Sequence, residues 1–169
     1  MPSHGRKFLT MGGAVLATSS FFFSWAGESD YRNQISGWRL SKELGPAFLQ
    51  GNLFSQNDGY STLTGFLLFT CLCLWIMALL ALSVLVTNCL PSSLALKRWY
   101  QTVARLGLVG VFLAYGSLFL LISFIAAQAP NVATFFLILL GGPGLWLSLL
   151  GFLGVLFGAK SQQVAQRES

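Results

Sequence analysis

The sequence predicts an all-α integral membrane protein: a four-helix transmembrane bundle with a long first extracytoplasmic loop, forming one membrane domain over residues 1–169. Three observations predict this. Only 9% of the residues are charged and mean hydropathy is +0.68, whereas a soluble globular domain carries roughly a quarter charged residues. The fifteen charged residues (ten Lys+Arg, five Asp+Glu) are clustered, leaving uncharged runs of 20, 38 and 54 residues at 8–27, 59–96 and 106–159. A helix crossing the hydrocarbon core needs about 20 residues, so the runs hold one, one and two spans. Water-soluble enzymes, nucleic-acid modules, disordered tails and disulfide-stapled secreted domains are excluded on composition.

The first span, 8–26, is the weakest, with only seven Leu, Ile, Val or Phe residues besides Thr10, Thr18, Ser19 and Ser20. Arg6 and Lys7, then an apolar stretch, then Ser24-Trp25-Ala26 also fit a cleavable signal peptide. We expect the segment to be retained. An outer loop follows over 28–61, where Leu40, Leu44, Ala47 and Phe48 recur at the spacing of one helix face. Gly45-Pro46 interrupts the pattern, which predicts a short helical turn on the membrane surface. Trp38 and Phe48 suit the interface, and Trp38, Leu40, Leu44 and Phe48 form either a lid over the bundle or a partner surface.

The second span, 62–87, leads to a cytoplasmic connection over 88–103. Pro91 and two serines ahead of good helix formers predict that the next helix begins near Leu94. Lys97, Arg98, Trp99, Tyr100 and Arg105 are then expected as cytoplasmic anchors at headgroup level, too few in basic residues for a phosphoinositide patch. The third span, 104–127, contains thirteen Leu, Ile, Val or Phe residues between Leu106 and Ala127 and is the strongest. Gln128-Ala129-Pro130-Asn131 supplies the turn into the fourth, 132–158, and residues 159–169 form a cytoplasmic tail. Within the fourth, Gly141, Gly142, Pro143 and Gly144 predict a kink or short unwound stretch.

Orientation follows from the basic residues. With both termini cytoplasmic, seven Lys and Arg lie inside and three outside, while four of the five acidic residues lie outside. The positive charge thus reflects topology and contact with anionic lipid, and no nucleic-acid partner is expected. A bacterial plasma membrane or a thylakoid-type internal membrane is the expected location.

No Asp, Glu, Lys, Arg or His falls inside a span, so proton relays, ion-coupled transport and voltage sensing lose their usual residues. His4, the single histidine, lies in the N-terminal tail, which rules out bis-histidine haem ligation by this chain. Chlorophyll held by an oxygen ligand stays open, but no cofactor is expected. Cys71 and Cys73, about 200° apart around a helix, cannot pair or share a metal. No nucleophile–base set or phosphate-cradling loop is present, so catalytic and metal residues are none.

Small residues carry the positive signal. Gly110 with Ala114, and Gly151 with the Gly154–Gly158 GxxxG, are the expected helix-packing positions, because lipid is as apolar as leucine and association depends on close approach. The layout of one long outer loop between the first two spans resembles the claudin-like tetraspan layout. Ser36-Gly37-Trp38 lacks the cysteine pair of that loop, so a junction role is not carried over. Phe23-Ser24-Trp25 and Ile35-Ser36-Gly37-Trp38-Arg39-Leu40 are similar to a pattern in small bacterial four-helix membrane proteins of unknown function. The expected function is a non-catalytic subunit or assembly factor packing, among membrane lipids, against other membrane protein subunits. Two alternatives stand: a small transporter or channel using the kinked fourth helix, and a self-associating scaffold contacting pigment or lipid.

Overall fold

A computed structural model describes residues 3–25, 36–49, 60–89, 94–128 and 142–167. Five helices make up this part: α1 (Ser3–Ser19), α2 (Gly37–Leu49), α3 (Tyr60–Thr87), α4 (Leu94–Gln128) and α5 (Pro143–Arg167). Among the described residues there is no strand. Three helices are long and apolar enough to cross a membrane, over Gly65–Asn88, Ala95–Leu120 and Pro143–Lys160. The described residues are therefore all-helical, with the long apolar helices of a membrane protein. Helix α1 has 17 residues and gives way at Ser20 to a turn that runs to Trp25, so the expected span over 8–26 is a shorter helix with an irregular end.

The long helices pack side by side in the cyclic order α1, α3, α4, α5. Their inward faces keep a 3-4 spacing. It runs through Thr10, Ala14, Ala17 and Phe21 at α1, and Thr70, Leu74, Met77, Ala81 and Val84 on α3. It continues through Tyr100, Ala104, Gly107, Val111, Ala114 and Leu118 on α4, and Leu145, Ser148, Phe152, Val155 and Ala159 on α5. Such spacing lets neighbouring helices interlock at a shallow angle along their length. Gly13 beside Gly151, Ser20 beside Ser148 and Trp25 beside Gly144 make α1 and α5 antiparallel. Gly110 beside Met77 and Ser117 beside Thr70 do the same for α3 and α4. Exposed Lys7, Arg98, Arg105 and Lys160 consequently share one end of the molecule.

Helix α2 corrects an expectation. It is one continuous helix of 13 residues that runs through Gly45-Pro46. Pro46 lies in the last turn and is exposed, as is Lys42, the residue four before it whose carbonyl the proline cannot serve. Ser36 caps the other end, accepting the Arg39 backbone N–H on its Oγ at 3.2 Å, which satisfies one of the orphan donors of a helix start. Leu40 is buried and Leu44 half-buried in the core against α3, while Trp38 is exposed. The Phe48 side chain lies outside the described residues.

The basic connection brings a second correction. Arg98, Trp99 and Arg105 are exposed, as anchors should be, but Lys97 and Tyr100 are buried. Both fall on the inward face of α4, Lys97 three residues before Tyr100, and Tyr100 packs with Ala14, Val84 and Ala159. Helical register decides their direction, and proximity to the headgroups does not.

Candidate functional site

Helices α1 and α5 approach each other backbone to backbone at three glycines. A Cβ at Gly13 would lie 2.5 Å from the Gly151 carbonyl oxygen and 2.8 Å from the Val155 nitrogen. A Cβ at Gly151 would lie 2.5 Å from the Ala17 nitrogen, and one at Gly154 would lie 3.2 Å from the Gly13 Cα. Real Cβ atoms essentially never come within 3.0 Å of backbone, so Gly13 and Gly151 set the distance between the helices. Gly158 is buried further along the same helix. The GxxxG face of α5 is thus covered by α1 of its own chain. Of Gly12 and Gly13, the small residues that open the first span, Gly13 is the partner of Gly151.

The other small positions serve α4. A Cβ at Gly110 would lie 2.8 Å from Met77 Cγ, and Ala114, one turn on, is fully buried. Gly107 receives the ring of Phe152, which fills the space a side chain would take. Nothing in the sequence near Gly107 announces this; only the 3-4 register with Ala104 and Val111 could have.

The seam ends where two irregular segments meet. Pro143 is the first residue of α5, so the expected kink is a helix start among the described residues; Gly141 lies outside them. Proline suits the first helical position because its missing N–H is one of the orphans there. The turn that follows α1 takes up two donors at this helix start. Gly142 donates its N–H to the Trp25 carbonyl at 2.7 Å, and Gly144 donates to the Ser24 carbonyl at 2.8 Å. The Leu145 N–H donates back to the Gly142 carbonyl at 3.0 Å. The Trp25 side chain, fully buried, lies over Gly144, where a Cβ would come 2.6 Å from its Cδ1. Its Nε1–H donates to the Ser20 carbonyl at 3.1 Å.

Buried hydroxyls tie the helices in pairs. Ser20 and Ser148 share a 2.5 Å hydrogen bond between α5 and the turn after α1, and Ser20 also reaches the Ala17 carbonyl at 2.6 Å. Thr70 and Ser117 share one of 2.6 Å between α3 and α4. Each of these two also lies 2.8 Å from a carbonyl of its own helix, Phe66 or Ala114. Two hydroxyl protons serve three contacts, so one hydroxyl donates to the other and the second donates to its own backbone.

Beside the seam, aromatic rings bind α2 down. Phe21 and Trp75 meet edge to face at 5.0 Å, and Phe22 lies 6.0 Å from Trp38. The Trp75 Nε1–H donates to Ser41 Oγ at 2.7 Å, and that oxygen is 3.7 Å from Cys71 Sγ. Cys73 turns the other way into the core, and Cys89 is exposed beyond α3. Among the described residues no group of His, Cys, Asp and Glu could hold a metal ion.

Comparison with protein-family models, curated proteins and solved structures finds no match to this chain. Function therefore rests on the geometry alone.

Proposed function

We propose that this protein is a non-catalytic membrane subunit or assembly factor, a four-helix bundle that packs against a larger membrane protein complex. The observation that carries the proposal is the sealed seam at Trp25. The glycine–proline break is the place where an apolar segment could have opened polar backbone to a site. The N–H groups of Gly142 and Gly144 are instead spent on the Trp25 and Ser24 carbonyls, and a buried indole fills the space beside Gly144. Irregular backbone at membrane depth is tolerated where protein buries it. The broken-helix transporter alternative needs such groups turned toward a cavity, and here they face backbone of the same chain.

The outward face of α3 supports the same conclusion. Leu72, Ile76, Leu79 and Val86 are all exposed, and α3 carries no charged residue. A helix apolar all round sits in lipid or against other membrane helices. The glycine faces of α4 and α5 are closed within the chain, while α3 offers an apolar outer surface, as do Phe112 and Leu113 on α4 and Trp146 and Leu150 on α5. Burial of Ala14, Ala17, Phe21 and Trp25 supports retention of α1 as the fourth span. The shared basic end supports cytoplasmic termini, in a bacterial plasma membrane or a thylakoid-type one.

Affinity purification in mild detergent tests the proposal. A reproducible co-purifying membrane protein is expected. A lone monomer across detergents and growth conditions would count decisively against it.

A further inference from the structure

One stripe of α4 combines cations with an apolar groove. Arg98, Arg105 and Phe112 are seven residues apart, so each lies only about 20° from the last around the helix. All three are exposed, as are Thr102 and Val109 between them. The stripe continues into an open groove of about 580 Å³, walled by Phe112, Leu113 and Gly116 of α4 and by Gly65, Phe66 and Phe69 of α3. No acidic residue occurs on α3 or α4. A Cβ at Gly65 or Gly116 would meet nothing within 4 Å, so the groove has unfilled room at both glycines.

Dimensions match one class of molecule. At about 1.5 Å per residue, Phe112 lies roughly 10 Å and Gly116 roughly 16 Å beyond Arg105. Half of a hydrocarbon core of about 30 Å is about 15 Å, the depth that an acyl chain reaches from its headgroup. We propose that this stripe binds one anionic phospholipid of the leaflet at the basic end. Its phosphate sits between Arg98 and Arg105, and an acyl chain runs along Val109 into the groove. Charge complementarity selects the headgroup, because a cation is worth about 1 kcal/mol near an anionic membrane surface. The site requires no protein partner, so it stands or falls independently of the subunit role.

The test uses the purified, delipidated full-length protein and native mass spectrometry, with phosphatidylglycerol or phosphatidylcholine of identical chains. Two arginines predict phosphatidylglycerol bound roughly 30-fold tighter. The Arg98→Gln/Arg105→Gln double variant should erase that preference. Gly116→Leu fills the groove without displacing a neighbour, and should weaken both lipids several-fold while leaving their ratio unchanged. Equal binding of the two lipids by the wild-type protein would overturn the proposal. So would a preference that survives the double variant, or lipid affinities unchanged by Gly116→Leu. If Gly116→Leu instead splits a dimer and leaves lipid bound, the groove is a protein interface and the proposal fails.

Discussion

Gly142 and Trp25 lie 117 positions apart, yet the Gly142 N–H donates to the Trp25 carbonyl at 2.7 Å. The end of one segment thereby caps the start of another with backbone alone. Capping of this kind normally falls to Ser, Asp or Asn side chains, and here glycine is required because the approach leaves no room for a Cβ. Gly144→Ala should therefore lower stability by about 1–3 kcal/mol, through overpacking against Trp25. Pro143→Ala should change it by less than about 1 kcal/mol, because the proline heads the helix and interrupts nothing. Reversible unfolding in mixed micelles, followed by circular dichroism, compares the two.

The α1–α5 contact predicts a sharp contrast between adjacent glycines. Gly13→Ala places a methyl 2.5 Å from the Gly151 carbonyl, whereas Gly12→Ala meets nothing within 4 Å. The first should cost about 1–3 kcal/mol. The second should be neutral or stabilising by up to about 1 kcal/mol, since alanine is the better helix former. The same unfolding measurement reads both.

Thr70 and Ser117 supply a measurable interhelical hydrogen bond. A double-mutant cycle with Thr70→Val and Ser117→Ala should give a coupling of about 0.6 kcal/mol, the average for such pairs within membranes. A coupling near zero would mean that water or backbone replaces the bond at no cost.

Cysteine accessibility follows from burial and topology. Cys89 is exposed beyond the C-terminal end of α3, and Cys73 is buried. A membrane-impermeant maleimide should label Cys89 in inside-out vesicles and spare it in right-side-out ones. Cys73 should stay unlabelled in both until the protein is denatured. Labelling of Cys89 from the outside would reverse the proposed orientation.

The sequence made the membrane class legible because charge is expensive in hydrocarbon, so the uncharged runs around 59–96 and 106–159 stand out without further information. Leu94 as a helix start was equally legible, since Pro91 and the serines act locally. The fate of Lys97 and Tyr100 was not, because counting basic residues ignores the 3-4 register that points both inward. Gly45-Pro46 misled because a proline stops a helix only where its lost bond matters, and in the last turn of α2 it matters little. Trp25 and the Gly142–Gly144 segment each looked irregular in isolation. That one seals the other is a long-range fact that no local pattern encodes. Gly107 went unrecognised for the same reason: a glycine shows its purpose only beside its partner, here Phe152.

The central claim, that the apolar outer face of α3 packs against another membrane protein, can be tested at Leu79, which is exposed on that face. A photo-crosslinking residue placed there in the native membrane should yield a discrete, larger adduct with another protein, and one at buried Met77 should not. Adducts with lipid alone from Leu79, Ile76 and Leu72 would contradict the claim.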